Sequence, residues 1–318
     1  MHSTVDILLT SYNGQAYLEE QLDSVFSQSF DDFHLLIRDD FSSDGTGDII
    51  SKYCYQHSHK ISIIPDNGIN LGAVQNFNML MQQSTANYQM FCDQDDIWLP
   101  HKVEVTLNKM EEMEKEFGKD KPLLVHTDLK VVDEQLNLLS DSLWRYQLSD
   151  PKKGSTLNRL LLMNFATGCS VMVNRPLVDL ALPIPAEAMM HDWWLALVAA
   201  AFGHIGHITE PTALYRQHGS NDIGAKKWNI VDTFKSMANL SGRKQLLELN
   251  KSVKQKIQRQ AAAFLQRFGK ELSDRQREML ERYVNLDEFN YFVKIYYNIK
   301  YGFYYTGLIR NIGHFISL

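Results

Sequence analysis

The sequence contains few cysteines and prolines and lacks the glycine-rich motifs of several common enzyme classes. Its 318 residues include 3 cysteines and 8 prolines. Cys54, Cys92 and Cys169 are an odd number without paired spacing, which favours reduced cytoplasmic thiols over a disulfide framework. Neither GxGxxG nor GxxxxGK[ST] occurs, which argues against dinucleotide-dependent oxidoreductases and P-loop kinases.

Long uncharged apolar runs are also missing. Val5–Leu9 is too short for the hydrophobic region of a signal peptide and follows no basic segment. No uncharged stretch approaches the length of about 20 residues that a membrane-spanning helix needs. We therefore expect a cytoplasmic protein, and its hydrophobic share of 44% suits one large or two small domains.

The N-terminal part of the sequence alternates strand and helix patterns. Short apolar runs end in polar residues and are followed by apolar residues at helical spacing. The predicted strands are Val5–Leu9, Phe33–Ile37, Ile61–Ile64 and Tyr88–Cys92. This alternation predicts a parallel sheet with crossover helices, in which the segments SYNG, RDD and DQDD converge on one edge of the sheet.

The most informative segment is YQMFCDQDDIW, residues 88–98, because three carboxylates directly follow a predicted buried strand. Asp93, Asp95 and Asp96 would repel one another without a cation or a hydrogen-bonding ligand. Their oxygens suit Mg²⁺ or Mn²⁺ shared with a phosphate, at the sheet edge where ligands bind. A solvated acidic turn is the alternative, and Asp96 is also a candidate cap for a helix beginning near Pro100.

Several motifs together resemble family 2 glycosyltransferases of GT-A fold. In order, they are LLTSYNGQAYLEEQLDSVFSQ, RDDFSSDGT, NLGAVQNFN, FCDQDDIWLPHK, HTD at 126–128, TGCSVMVNR at 167–175, HDWW at 191–194 and YRQHGSN at 215–221. The resemblance covers about residues 4–225 and points to bacterial rhamnosyltransferases that build O-antigen, capsule and wall polysaccharides. It implies an α/β fold with a mostly parallel central sheet flanked by helices.

The resemblance also implies a donor site and a metal site. Asp39 resembles the carboxylate that accepts the N3–H of a pyrimidine base, although capping of a turn is an alternative for Asp39 and Asp40. Asp95 and His218 are the implied ligands of Mg²⁺ or Mn²⁺. The implied nucleotide-sugar site consists of Thr10, Tyr12, Asn13, Asp39, Asp40, Gly72, Asp93 and Gln94.

By the same resemblance, Asp192 is the general base of an inverting transfer, which needs one carboxylate near the acceptor hydroxyl. The alternative is structural, because an acid in the first turn of a helix complements the helix dipole. Adjacent tryptophans also pack in a hydrophobic core more often than they form a surface on which a sugar stacks. The implied acceptor or sugar pocket consists of Asp128, Gly168, Trp193, Trp194 and Arg216.

Charge divides the chain into two regions. Residues 226–318 carry 17 Lys and Arg against 8 Asp and Glu, a net charge of +9, which leaves −15 for residues 1–225. An acidic domain that binds a nucleotide diphosphate needs a cation between the like charges. We therefore expect a GT-A catalytic domain over 1–225 and a helical, basic and aromatic C-terminal region over 226–318.

Residues 289–318 combine aromatic and basic side chains with no acid, which suits the interface of an anionic membrane. Nucleic acid could use similar chemistry, and packing of these helices on the catalytic domain is a further alternative. We expect no nucleic-acid partner, a lipid-linked or oligosaccharide acceptor, and a peripheral position at the inner face of the plasma membrane. The sequence is also compatible with a homodimer.

The sequence thus predicts a metal-dependent inverting glycosyltransferase that moves L-rhamnose from dTDP-L-rhamnose to a bacterial surface glycan. A UDP-hexose donor, carrying galactose or glucose, is the alternative within this class. A phosphohydrolase of the haloacid-dehalogenase kind would need DxD directly after the first strand, where SYNG stands. A sugar-binding protein without catalysis is a third alternative, and the presence of every expected carboxylate argues against it.

Overall fold

The computed structural model describes residues 3–66, 68–219, 240–307, 310–311 and 314–315. The side chains of residues 240–250 lie outside this description. The described residues form two compact units. The first unit is drawn from 1–144, 166–184 and 190–224, and the second from 145–165, 185–189 and 225–318.

One sheet organises the first unit, and nine strands belong to it within the described part of the chain. They are β1 (Val5–Ser11), β2 (Phe33–Asp39), β3 (Ile61–Ile63), β4 (Tyr88–Cys92), β5 (Ile97–Trp98), β6 (Leu123–Val132), β7 (Leu138–Ser140), β8 (Val171–Asn174) and β9 (His204–Arg216). The strand order is β3-β2-β1-β4-β8-β6-β9-β5, and β7 pairs with β6.

Helices alternate with these strands along the chain and continue after β9. They are α1 (Leu18–Phe26), α2 (Thr46–Gln56), α3 (Ala73–Gln83), α4 (Lys102–Phe117), α5 (Leu143–Tyr146), α6 (Pro151–Gly154), α7 (Leu157–Leu160), α8 (Arg175–Ala181), α9 (His191–Phe202), α10 (Leu240–Phe268), α11 (Asp274–Val284) and α12 (Tyr291–Tyr301). No helix in the described residues has both the length and the apolar character needed to cross a bilayer.

The parallel part of the sheet positions the polar loops. β1 is buried at every position and pairs in parallel with β2 on one side and β4 on the other. Because parallel strands end at the same edge, the loops after Ser11, Asp39 and Cys92 meet there, and Ser11 lies directly opposite Asp39. The predicted convergence of SYNG, RDD and DQDD is confirmed.

The other half of the sheet contains a feature that the alternating pattern did not predict. β8 pairs antiparallel with both β4 and β6, whereas β6 and β9 are parallel. The 3₁₀ turn Gly168–Ser170 directly precedes β8 and is buried. The sheet is therefore mixed, and its antiparallel strand brings this turn to the loop that follows β4.

Three element boundaries determine where polar side chains of the predicted site lie. α4 begins at Lys102 with His101 as its N-cap, so Asp96 does not cap it. The HTD motif lies within β6, which continues through Val132 and so places Asp128 inside a strand. α2 begins after Gly45, without a side-chain cap.

The second unit is mainly helical. A capping box at Ser273 begins α11, the Asn290 side chain caps α12, and Gly302 ends α12 in the left-handed conformation that favours glycine. The Asn158 side chain donates to the carbonyl oxygens of Tyr301 and Gly302 at 3.0 and 2.9 Å. Segment 145–165 is thereby tied to the end of α12. Residues 226–239 of the predicted C-terminal region lie outside the described residues, and the boundary at 225 stays a prediction.

Candidate active site

The loop after β2 is organised around Asp39. Its Oδ1 accepts hydrogen bonds from the Ser11 and Ser42 hydroxyls at 2.7 and 2.6 Å, and its Oδ2 accepts one from the Ser42 N–H at 2.8 Å. These contacts hold a half-buried carboxylate at the sheet edge. Asp39 therefore caps the turn that follows β2, which is the alternative role considered from the sequence. Recognition of a base by Asp39 stays a prediction.

Asp40 has a different environment from its neighbour. It is 2% exposed, and its Oδ1 lies 3.2 Å from Arg38 Nη1. The Leu71 and Gly72 N–H groups donate to its two oxygens at 2.7 and 2.8 Å. Gly72 has a φ of +75°, which glycine adopts without strain. Asp40 and Gly72 thus form the start of α3, and their contact with a donor stays a prediction.

Gln94 joins the loops after β4 and β1. Its Oε1 accepts from the Tyr12 N–H at 2.8 Å, and its Nε2 donates to the Tyr12 carbonyl oxygen at 3.0 Å. A Cβ on Gly14 would lie 2.2 Å from Gln94 Oε1, so glycine permits this approach. The Tyr12 ring is 51% exposed at the same edge and can stack on a base.

Thr10 and Asn13, two further residues of the predicted donor site, lie in different environments. Thr10 is 9% exposed within β1. The Asn13 side chain accepts from the Ser43 N–H at 2.9 Å, and the Asn13 N–H donates to the Ser42 hydroxyl at 2.8 Å. Asn13 therefore shapes the loop after β2, and its contact with a nucleotide stays a prediction.

The two predicted metal ligands lie together although 123 residues separate them in the sequence. His218 Nε2 is 2.8 Å from Asp95 Oδ2, and their side chains are 4% and 13% exposed. The Tyr17 ring lies against the His218 ring, with centroids 4.6 Å apart. Ser220 and Asn221, at the end of the YRQHGSN motif, lie outside the described residues.

Asp93 belongs to an adjacent cluster with Asp96 and Cys169, in which one ligand atom from each residue lies within 4.8 Å of the others. Burial raises the pKa of the Cys169 thiol well above its usual range. A protonated thiol is a poor ligand for Mg²⁺ or Mn²⁺, whereas carboxylates and an imidazole suit Mn²⁺ and the carboxylates alone suit Mg²⁺. By their chemistry, the carboxylates of Asp93 and Asp96 in this cluster suit such an ion, and so does the separate Asp95–His218 pair.

Arg216 connects several loops around these ligands. Its Nε donates to the Asp95 carbonyl oxygen at 3.0 Å, its Nη1 donates to the Glu134 carbonyl oxygen at 3.2 Å, and its Nη2 pairs with Glu20. Its backbone N–H donates to Asp96 Oδ1 at 3.2 Å. Arg216 is 4% exposed and its guanidinium is bonded to protein groups, so it holds these loops together, and its place in the sugar pocket stays a prediction.

Asp192 lies in the first turn of α9 and is 6% exposed. Burial raises its pKa to about 7, while hydrogen bonds from the Trp193 and Gly168 N–H groups oppose the rise. A Cβ on Gly168 would lie 3.4 Å from Asp192 Oδ2 and 3.0 Å from His191 Nε2. Gly168 thus permits the turn before β8 to lie against this carboxylate.

Trp194 and Asp128, two residues of the predicted sugar pocket, are buried and bonded to protein groups, and their contact with a sugar stays a prediction. Trp194 is fully buried, and its indole N–H donates to the Ala181 carbonyl oxygen at 3.0 Å. Trp193 is 8% exposed. Asp128 is 3% exposed and accepts hydrogen bonds from the Ser142 hydroxyl and from the N–H groups of residues 143 and 144. The structure assigns Trp194 to the core and Asp128 to the start of α5.

Sequence reasoning missed a buried cation beside the cluster. Lys102 is fully buried, and its ammonium donates to the Thr212 hydroxyl at 3.1 Å. Burial lowers the Lys102 pKa to about 8. In the sequence Lys102 looks like an ordinary polar residue at the start of a helix, so no local pattern indicates that it is buried.

Comparison with known proteins gives a family match and several related sequences. Glycosyl transferase family 2 matches residues 6–178, more than half of the chain. The dTDP-rhamnosyl transferase RfbG of Shigella flexneri is 27% identical over 228 residues, which are 68% of this chain and 74% of that protein. The Bacillus subtilis glycosyltransferase TuaG, provisionally assigned to teichuronic acid biosynthesis, is 29% identical over 71% of this chain and 84% of its own length.

Solved structures share the fold at low sequence identity. Residues 1–349 of S. aureus TarS in complex with UDP superpose with a TM-score of 0.54 at 15% identity, covering 96% of this chain and 93% of that one. The mannosyltransferase PcManGT of Pyrobaculum calidifontis, in complex with GDP-Man and Mn²⁺, superposes with a TM-score of 0.54 at 14% identity, covering 94% and 74%.

Proposed function

The chain belongs to glycosyl transferase family 2, and from that premise we propose that it is a metal-dependent inverting transferase for a bacterial surface glycan. One observation carries the proposal. The Asp95–His218 pair lies at the edge of the sheet, and Asp192, a separate carboxylate with a raised pKa, opens α9 in the same unit. An inverting transfer needs both a site for a diphosphate and a base.

In this proposal Asp192 accepts the proton of the acceptor hydroxyl. The hydroxyl oxygen forms a bond to the anomeric carbon as the bond from that carbon to the donor diphosphate breaks. With a pKa of about 7, Asp192 is ionised in part of the molecules at neutral pH and is more basic than an ordinary carboxylate. The turn at Gly168 lies against this carboxylate, and the Gly168 N–H stabilises its charged form.

Asp93, Asp95 and His218 are the proposed holders of Mg²⁺ or Mn²⁺. The ion supplies positive charge for the diphosphate when it is bound. An imidazole in the set favours Mn²⁺ over Mg²⁺, which prefers oxygen ligands. The Mn²⁺ in the complex of the archaeal mannosyltransferase supports this preference.

The proposed donor is dTDP-L-rhamnose, and the acceptor is a lipid-linked or oligosaccharide precursor of an O-antigen, capsule or wall glycan. The dTDP-rhamnosyl transferase activity of RfbG and the biosynthetic assignment of TuaG support this choice. A pyrimidine also suits Asp39, whose carboxylate can accept the N3–H of thymine or uracil. UDP-hexose is the second candidate, supported by the complexes of TarS with UDP and UDP-GlcNAc.

A thermal-shift panel with Mn²⁺ tests the donor. We expect dTDP-L-rhamnose to raise the unfolding temperature more than UDP-glucose, UDP-galactose or GDP-mannose, because tight ligands stabilise the folded state by mass action. Transfer to a synthetic acceptor should depend on added Mn²⁺. Asp95→Ala should retain the fold and lose the metal-dependent part of the shift, whereas Asp179→Ala, at a side chain 66% exposed on α8, serves as the control.

The panel also distinguishes the alternatives. A larger shift with a UDP-hexose would support the second candidate. Release of inorganic phosphate from simple phosphomonoesters would favour a phosphohydrolase. Wild-type transfer by Asp95→Ala without added metal would show that the metal assignment is wrong.

We also propose that α12 brings the enzyme to a membrane. Phe292, Tyr296 and Ile299 are 80%, 57% and 60% exposed and follow a spacing of four and three residues, so they lie on one face of the helix. α12 contains two lysines and no acid. An anionic bilayer complements this combination of apolar and basic groups, and a lipid-linked acceptor would be presented there.

A further inference from the structure

Asp96 contacts the segments that carry the proposed metal ligands. It is fully buried, and its Oδ1 accepts from the Arg216 N–H at 3.2 Å. Arg216 in turn donates from Nε to the Asp95 carbonyl oxygen at 3.0 Å, and His218 follows two residues later. The carboxylate therefore joins the loop after β4 to the end of β9, and these two segments supply Asp95 and His218.

On its other side Asp96 contacts the turn that faces Asp192. Cys169 Sγ lies within 4.8 Å of an Asp96 carboxylate oxygen, where its thiol can donate to the charged carboxylate. Cys169 is 1% exposed and follows Gly168, whose N–H donates to Asp192. A continuous chain of contacts thus runs from the metal-binding segments through Asp96 to the proposed base.

Lys102 is a buried cation that interacts with Asp96. Lys102 is fully buried, and its positive charge attracts the Asp96 carboxylate. Buried charges are costly to desolvate, and well-packed apolar residues can often replace them without loss of stability. Their presence here, between the two halves of the site, favours a role in arranging the site over a role in stability.

We propose that Asp96 is a positioning residue, which fixes the Asp95–His218 pair relative to the turn that orients Asp192. It does so through Arg216 and Cys169 and contacts neither donor nor acceptor. The inference rests on the proposed function. Partners that orient metal ligands typically change metal affinity or activity by about 10–100-fold when they are replaced.

Asp96→Asn tests this role, because the amide keeps the shape and an oxygen acceptor for the Arg216 N–H but removes the charge. Mn²⁺ binding is measured by the electron paramagnetic resonance signal of free Mn²⁺ in the presence of dTDP, and transfer is measured at saturating donor. We expect the Mn²⁺ dissociation constant to rise by about 10–100-fold and kcat to fall by a similar factor.

Glu114→Gln is the matched control. Glu114 is also a buried carboxylate of the first unit, and it accepts from the Tyr88 hydroxyl at 2.9 Å, at the opposite end of β4 from Asp93. It should leave the Mn²⁺ dissociation constant and kcat unchanged. Equal Mn²⁺ affinity in Asp96→Asn and wild type would overturn the inference. Loss of Mn²⁺ binding as complete as in Asp95→Ala would also overturn it, because Asp96 would then be a direct ligand.

Cys169 provides an independent pair of variants should Asp96→Asn not fold. Cys169→Ser keeps a hydroxyl donor for Asp96 and should retain Mn²⁺ binding, whereas Cys169→Ala removes the donor and should weaken it by about 10-fold. Equal affinities of the two variants would contradict the inference. The failure of the proposed function looks different, since wild-type protein would then bind no Mn²⁺ with dTDP and transfer no sugar.

Discussion

At the residue scale, burial sets the basicity of Asp192, the proposed general base. Asp192 is 6% exposed, and loss of solvent disfavours its charged form, which raises its pKa to about 7. The N–H groups of Gly168 and Trp193 stabilise the charged form and limit the rise. The same side chain on an exposed helix terminus would be ionised but weakly basic. The fold thus makes it a stronger base at neutral pH.

Asp192→Asn should reduce kcat by about 10²–10⁴-fold with little change in donor affinity, because the amide preserves shape and accepts no proton. The wild-type kcat should fall tenfold per pH unit below a pH of about 7, where the carboxylate is protonated. The residual rate of the variant should not show this dependence. Steady-state kinetics from pH 5 to 9 measure both effects, and an equal loss of donor binding and of rate would indicate a structural role.

The raised pKa of Asp192 also makes the free energy of unfolding depend on pH. The unfolded chain releases this proton near pH 3.8 and the folded protein near pH 7, so the folded state binds more protons between these values. The contribution of Asp192 to stability should therefore fall with rising pH in this window, by about 1.4 kcal/mol per unit. Urea denaturation at pH 5 and 8 should show that Asp192→Asn gains stability relative to wild type at pH 8.

At the scale of elements, hydrogen bonds between loops organise the sheet edge. Gln94, after β4, bonds to both the N–H and the carbonyl oxygen of Tyr12, after β1. These bonds hold the exposed Tyr12 ring in the loop where the resemblance places the base and ribose. A preorganised loop loses less entropy on binding than a free one. We therefore interpret Gln94 as the residue that fixes this loop and not as a direct donor contact.

Gln94→Glu should weaken binding of dTDP by about 10-fold, because a carboxylate oxygen would replace the donor that faces the Tyr12 carbonyl oxygen. Isothermal titration calorimetry measures the dissociation constant. Gln56→Glu adds the same charge on the exposed end of α2 and is the control. If Gln94→Glu changed kcat but left dTDP binding intact, Gln94 would not be the residue that fixes this loop.

On the scale of the whole molecule, charge and exposed aromatic residues are distributed unevenly. The net charge is −15 over residues 1–225 and +9 over residues 226–318. The exposed aromatic residues Phe292 and Tyr296 belong to the basic region. Basic groups near an anionic surface contribute about 1 kcal/mol each, a contribution that salt weakens, and apolar contacts add a part that salt does not remove.

Replacing Phe292, Tyr296 and Ile299 together by serine should reduce binding to phosphatidylglycerol vesicles and activity on a lipid-linked acceptor. Activity on a short soluble acceptor should be unchanged. Vesicle flotation at low and high salt separates the charge-dependent part from the apolar part. Tyr55→Ser, at a side chain 90% exposed in the first unit, is the control.

Two outcomes would contradict the membrane proposal. Wild-type protein that fails to bind anionic vesicles at low salt would exclude it. If the triple variant instead dissociated an oligomer in sedimentation experiments, the α12 face would be an interface between copies of the chain.

The sequence by itself determined the order of strands and helices through Tyr88–Cys92 and the identity of the loops at the sheet edge. Periodicity shows which positions are buried, and polar residues after a buried strand show where that strand ends. The motif resemblance also indicated the family, which the match over residues 6–178 confirms. The roles of individual site residues stay predictions.

Only the tertiary structure decided which polar side chains are free to act. Asp40, Asp128 and Arg216 have motif-like surroundings in the sequence, yet each is engaged by protein groups. Asp96 and Lys102 look like surface residues and are fully buried. The physical reason is that hydrogen-bond partners come from distant segments, as for Arg216 and Asp95, which are 121 positions apart. Local patterns record the burial of a segment, whereas desolvation and hydrogen bonding of a polar side chain depend on the chain that folds against it.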